Sequence, residues 1–172
     1  MVFGASKGIG AATAKMMAMA GADVTLCARS LVSLQQVADE IKEYATSRIV
    51  TKSIDLENLP MIDQLIDEAL AELGPVHILV NNSGGPPGGP LMSNSVEDFH
   101  APFARHLHAA HQITKRLAPE MEKAGFGRVI QIISTSVKEP IPNLGLSNTL
   151  RGAMASWAKS LSRELHPCIT IN

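Results

Sequence analysis

Short β-branched runs alternate with longer helical ones along almost all of the 172 residues. The stretches 22–28 (ADVTLCA), 48–54 (RIVTKSI), 76–82 (VHILVNN) and 127–134 (GRVIQIIS) have the near-continuous apolar character of strands covered on both faces. CITIN (168–172) opens another. Helical stretches lie between them, at about 8–20, 31–45, 60–73, 95–124 and 147–165. In the third of these, Met61, Leu65, Ile66, Ala69 and Leu70 mark one apolar stripe. Such alternation predicts an α/β fold: a doubly wound parallel sheet with helices on both faces. A hydrophobic fraction of 45% is enough for one domain with a real core, and aliphatic residues with eight Met must fill it because aromatics are 3%.

The segment SGGPPGGPLMS (83–93) is too rich in Gly and Pro for a regular element. It follows the carboxyl end of a strand, where open α/β sheets bind ligands. Both ends look cut. MVF gives three strand residues before the first glycine, and CITIN stops inside a strand. A central strand that short is expected to leave its neighbours with unpaired backbone groups. The chain therefore reads as a domain lacking part of its first strand and a C-terminal segment.

Fifteen basic residues nearly balance sixteen acidic ones, for a net charge of −1. That leaves no field to hold nucleic acid. Cys27 and Cys168 lie far apart in apolar runs and read as buried thiols of a reducing compartment, not as a disulfide or metal site. No apolar run has the length of a membrane span, and no secretion signal is visible. A cytoplasmic protein is expected.

GASKGIG (4–10) follows the first strand and opens a helix. Gly4 would permit a tight turn, Gly8 a close approach to a pyrophosphate, and Gly10 close packing of helix on sheet. The helix N-terminus beyond offers free N–H groups and a positive dipole end to phosphate. Three further motifs come in order: Asp55 in IDL, NNSG at 81–84, and ELHPCITIN at 164–172.

With these motifs together, the chain resembles the short-chain dehydrogenases/reductases. Their glycine loop has the same spacing. Their Asn-Asn-Ala-Gly is matched with Ser83 for Ala, and their Glu-Leu-x-x-x-x-Ile-x-Val-Asn ending by 164–172. The resemblance implies the doubly wound nucleotide-binding sheet and a reaction centre of Asn, Ser, Tyr and Lys. In that family Tyr passes the proton to or from the substrate oxygen. Lys holds the ribose and lowers the Tyr pKa, Ser orients the carbonyl, and Asn supports a water relay. Here the four positions are His106, Ser134, Ser147 and Arg151. Tyr44 is the only tyrosine, lies in the second helix, and does not substitute.

The departure changes the chemistry. A serine hydroxyl is a poor source of a full proton, though it donates a hydrogen bond well. Arginine keeps its charge and relays no proton. It can clamp ribose hydroxyls or stabilise a developing alkoxide, help worth roughly 3–4 kcal/mol per donor. Ser147 and Arg151 are one helical turn apart, which is also the spacing of a helix cap and a surface charge. His106 is the replacement expected to titrate near neutrality and to feed a proton through water, or else it only fills the asparagine's space. His108 and His111 share a helix face but make no metal site by themselves.

The nicotinamide discriminator follows the second strand. CARS puts Ala28 at the usual acidic position and Arg29 next, and Lys7 adds a second cation. Two cations without a carboxylate favour the 2′-phosphate of NADP over NAD. By family analogy Asp55 and Leu56 border the adenine. Asn82, Ser83 and Gly84 run past the ribose and nicotinamide, with Ser6 and Ile9 completing the phosphate loop. The expected activity is an NADP(H)-dependent oxidoreductase acting on a small-molecule carbonyl or alcohol. The alternative is a catalytically silent dinucleotide-binding protein. Family members assemble through their long fourth and fifth helices, so a homo-dimer or homo-tetramer is expected. Met154 and Trp157 lie either on such a face or in the core.

Overall fold

A computed structural model describes all residues, Met1–Asn172. Six strands form one parallel sheet, ordered β3-β2-β1-β4-β5-β6. They are β1 (Val2–Phe3), β2 (Val24–Ala28), β3 (Ile49–Ser53), β4 (Ile78–Asn81), β5 (Gly127–Gln131) and β6 (Ile169–Ile171). The helices are α1 (Gly8–Met19), α2 (Leu31–Lys42), α3 (Pro60–Leu73), α4 (His100–Phe103), α5 (Ala109–Lys123) and α6 (Gly145–Leu161). The expected doubly wound architecture is present.

Each face of the sheet has its own core. On one side α1 and α2 close over Val2, Val24, Leu26 and Val80. On the other, α3 and α5 close over Phe3, Cys27, Leu79 and Val129, and Trp157 and Leu161 of α6 pack against them. Alternate residues of one strand thus feed opposite cores, which is why the strand patterns show no polar face. No helix is long and apolar enough to cross a membrane.

The chain order reverses around β1, which pairs with β2 on one side and β4 on the other. The carboxyl ends of the strands diverge there, and a crevice opens. Short as it is, β1 is tied on both sides: Met1 donates from its amino group to Ile78 O at 2.8 Å, Val80 N–H to Met1 O at 3.0 Å, and Ala5 N–H to Cys27 O at 3.1 Å.

Three expected boundaries move. The helix expected from 95 begins as a 3₁₀ turn at Glu97–Phe99, continues as α4, widens into a π segment at Ala104–His108, and becomes regular α-helix only from Ala109. The helix expected from 147 starts at Gly145, because Asn143 takes a left-handed conformation (φ 58°) and the glycine-rich loop supplies a partner. Gly145 N–H donates to Gly89 O at 3.1 Å. That helix ends at Leu161, not 165, and the chain turns before Pro167. Cys27 is fully buried as expected; Cys168 is only partly buried, beside His166.

Candidate active site

The glycine loop links β1 to α1. Gly4 and Gly8 have φ of 62° and 56°, a left-handed region that favours glycine. A Cβ on Gly10 would lie 2.2 Å from Gly4 O, so helix and loop meet there with no room to spare. Nothing lies within 4 Å of the Cβ position of Gly8, which faces open space. Asn82 Nδ2 reaches across from the end of β4 to Gly4 O at 3.3 Å and joins the two strand ends. Lys7 precedes the first turn of α1 and makes no side-chain cap bond. The first-turn amides, which have no intrahelical partner, are therefore available to an anion.

A cavity of about 590 Å³ lies over this crevice. Gly4, Ser6, Lys7, Gly8 and Ile9 form one wall; Arg29, Asp55 and Leu56 form the next; Asn82, Ser83 and Gly84 close it. The sequence had named all of these. Gly10 does not line it, because its part is packing against Gly4. Three polar lining residues were missed, Ser30, Ser33 and Arg105, beside the apolar Phe3, Cys27 and Ile54. Ser30 caps α2, accepting from Ser33 N–H at 3.2 Å, and the two hydroxyls are 3.0 Å apart beside the exposed Arg29. A serine directly after a strand-end arginine was the available signal. Arg105 had none, since its placement comes from the π segment, whose widened turn sequence periodicity does not reveal.

Asp55 accepts from Glu57 N–H at 3.1 Å and so fixes the turn after β3. Glu57 in turn pairs with Arg105, Oε1 to Nε 3.4 Å. This ion pair joins the β3 turn to the π segment, and Leu56 and Arg105 line the cavity.

Of the four reaction-centre positions, His106 and Arg151 line a smaller neighbouring cavity together with Asn82, Ser83 and Arg105; Ser134 and Ser147 do not line it. Arg151 is no surface charge. It is 8% exposed and donates from Nη1 to Ile132 O at 2.9 Å and from Nη2 to Ser83 O at 3.4 Å. No carboxylate lies within ion-pair distance of it. Burial lowers its pKa from the ordinary value, yet a guanidinium stays charged at any working pH. Ser147 is no cap, since it is the third residue of α6 and Leu144 holds the cap position. A Cβ on Gly85 would lie 3.8 Å from Arg151 Nη2 and 3.9 Å from Ser147 Oγ, so both side chains flank the same point of backbone. Ser134 opens the 3₁₀ turn Thr135–Val137 and accepts from Ser136 N–H at 3.1 Å, which leaves its own O–H free to donate. α6 packs on that turn.

His106 departs from expectation. It is 3% exposed, and desolvation, then the nearby Arg151 charge, lowers its pKa to about 4. It is uncharged at neutral pH. Its Nδ1 lies 2.6 Å from Ser83 Oγ and its Nε2 3.0 Å from Gly84 O. The expected titration near neutrality is corrected: with both nitrogens occupied and the ring buried, it is a poor proton source. Met154 is buried and lines the small cavity, so it belongs to the core and not to an outer face. Trp157 donates from Nε1 to His111 Nδ1 at 3.3 Å and ties α6 to α5.

The family model described as short chain dehydrogenase matches residues 1–172. The chain belongs to that family. An uncharacterised oxidoreductase of Mycobacterium tuberculosis is 33% identical over 173 residues, which take in all of this chain and 65% of that protein. Ketoacyl reductase HetN of a Nostoc species is 27% identical over 165 residues, covering 96% of this chain and 57% of that one. The chain thus spans 65% or less of the length of these two relatives. Among solved structures, a metagenomic short-chain oxidoreductase in complex with NADP has a TM-score of 0.92 at 31% identity, over 99% of this chain and 78% of that one. L-sorbose reductase from Gluconobacter frateurii, complexed with NADPH and L-sorbose, has 0.90 at 27%, over 95% and 62%.

Proposed function

We propose that this dehydrogenase-family chain carries the reaction centre of an NADP(H)-dependent oxidoreductase that interconverts a carbonyl and an alcohol through a Ser134, Ser147 and Arg151 site. The observation that carries the reading is the convergence of Ser147 and the buried, unneutralised Arg151 on the backbone at Gly85, the residue after Gly84, which lines the same cavity as Arg29 and Lys7. The fit to a dinucleotide rests on the open face of Gly8 and the uncapped start of α1. Ser6 to Gly10 would hold the pyrophosphate, and Arg29, Lys7, Ser30 and Ser33 the 2′-phosphate. Asp55 and Leu56 would border the adenine. When bound, the cofactor supplies or accepts the hydride.

The residues of the chain do the rest. In the reducing direction the carbonyl electron pair moves onto oxygen as the carbon gains hydride. Ser134 and Ser147 donate hydrogen bonds to that oxygen, and the fixed charge of Arg151 stabilises it. Arg151 would also hold the ribose hydroxyls. Neither serine nor arginine gives up a proton readily at neutral pH, so the alkoxide is protonated from solvent water.

Steady-state oxidation of NADPH with a panel of ketones and aldehydes tests this, on wild type and Ser147→Ala. Turnover in the wild type, reduced at least tenfold in the variant, is the expected result, since one donor to a developing oxyanion is worth roughly 3 kcal/mol. Tight NADPH binding with no turnover on any carbonyl would instead make this a dinucleotide-binding protein without chemistry. The cofactor preference has its own check. Arg29→Ala should weaken NADPH binding roughly tenfold or more and leave NADH unchanged, as expected for loss of a hydrogen bond to a charged group.

A further inference from the structure

Two of the departures from the family pattern touch each other. Ser83 stands where the Asn-Asn-Ala-Gly motif has alanine, and His106 where the family has asparagine. Their side chains meet at 2.6 Å. The direction of each bond follows from chemistry. Gly84 O can only accept, so His106 Nε2, 3.0 Å away, carries the ring proton. In the neutral ring Nδ1 then has only a lone pair, and the Ser83 hydroxyl donates to it. An alanine at 83 would leave Nδ1 without that donor.

The pair controls a short piece of backbone. His106 holds Gly84 by its carbonyl and Ser83 by its side chain, while the Ser83 carbonyl accepts from Arg151 Nη2 at 3.4 Å. The other end of the guanidinium is fixed on Ile132 O at 2.9 Å. Moving the 83–84 peptide therefore moves one of the two anchors of Arg151. A guanidinium stabilises a developing charge only where it is already aimed, and a shift of about 1 Å in such a site costs as much as two orders of magnitude in rate.

We propose that His106 and Ser83 are a positioning pair: they lock the 83–84 backbone so that Ser83 O aims the guanidinium of Arg151 at the reacting oxygen, and His106 transfers no proton. The inference rests on the reading that Arg151 acts at that oxygen.

Two measurements test it. The first needs no activity. Nitrogen-15 chemical shifts of His106 in the intact wild-type chain should show a neutral ring protonated at Nε2, and Ser83→Ala should shift the Nδ1 resonance. A proton on Nδ1, or an Nδ1 shift indifferent to Ser83→Ala, overturns the pair. The second is a kinetic cycle. His106→Asn keeps an acceptor near the Nδ1 position for Ser83 but is too short for Gly84 O; His106→Gln keeps the distant donor and loses the near acceptor. Ser83→Ala and His106→Gln should each lower kcat about tenfold, and the double variant should be no worse than either, as for residues that act as one unit. KM for NADPH should hold throughout. Multiplying effects, or a neutral-pH limb in the kcat profile that His106→Asn abolishes, would make His106 an independent proton donor and end the proposal. If the wild type has no turnover, the functional reading above falls, and the nitrogen spectrum still decides the pair.

Discussion

Arg151 carries a charge that no acidic side chain in the molecule neutralises, and it is held by two backbone carbonyls at the ends of β4 and β5. Lysine, with a compact ammonium on a flexible stem, cannot span both acceptors in one planar fork. Arg151→Lys should therefore lower stability by about 1–3 kcal/mol in urea titrations, because one partly buried carbonyl loses its charged donor. His106 supplies a pH prediction. Its pKa of about 4 lies below the ordinary 6.5, so between those values the unfolded chain binds more protons than the folded one. The His106 contribution is fully present above pH 6.5 and is lost as pH falls toward 4, on the order of 3 kcal/mol in all. Urea midpoints for wild type and His106→Asn, compared at pH 7 and pH 4.5, should converge at the lower pH. Parallel pH dependence would mean that His106 is not buried as a neutral ring. Gly10→Ala should cost roughly 1–3 kcal/mol, since the new methyl would meet Gly4 O at 2.2 Å. The positions 106, 134, 147 and 151 were singled out by the family resemblance. That His106 is buried and engaged at both nitrogens was not, because burial depends on which way a helix turns.

The glycine-rich loop after β4 is fastened to the start of α6. Gly89 N–H donates to Asn143 O, and Gly145 N–H returns to Gly89 O. The loop thereby fixes the first turn of α6, two residues before Ser147. A Cβ on Gly145 would lie 2.5 Å from Leu91 Cβ and 2.6 Å from its backbone, so Gly145→Ala must displace the loop. Turnover should fall roughly tenfold or more while NADPH affinity holds, because only the groups over the carbonyl side move. An equal loss of NADPH affinity would show that the loop belongs to the cofactor cleft instead. The early start of α6 and the broken entry to α5 were both invisible in the sequence for related reasons. One depends on a left-handed Asn143 and a distant partner in the loop, the other on a π segment. Neither leaves a mark in hydrophobic spacing. By contrast α2 and α3, whose amphipathic stripes face a single core, lie close to where periodicity put them.

The doubly wound parallel sheet was implied by family resemblance and by the alternation of strands with helices; the two cores explain why that alternation is so legible. A strand buried on both faces has little choice of partner other than helices on each side. The resulting crevice at β1 brings together segments distant in the chain: the phosphate loop, the turn after β2, the turn after β3 and the end of β4. Its occupant is the central claim, and calorimetric titration with NADPH and NADH at fixed salt tests it most directly. Saturable one-site binding, with NADPH at least tenfold tighter than NADH and the difference removed by Arg29→Ala, is the predicted result. No binding of either nucleotide, or equal affinities unaffected by Arg29→Ala, would contradict it.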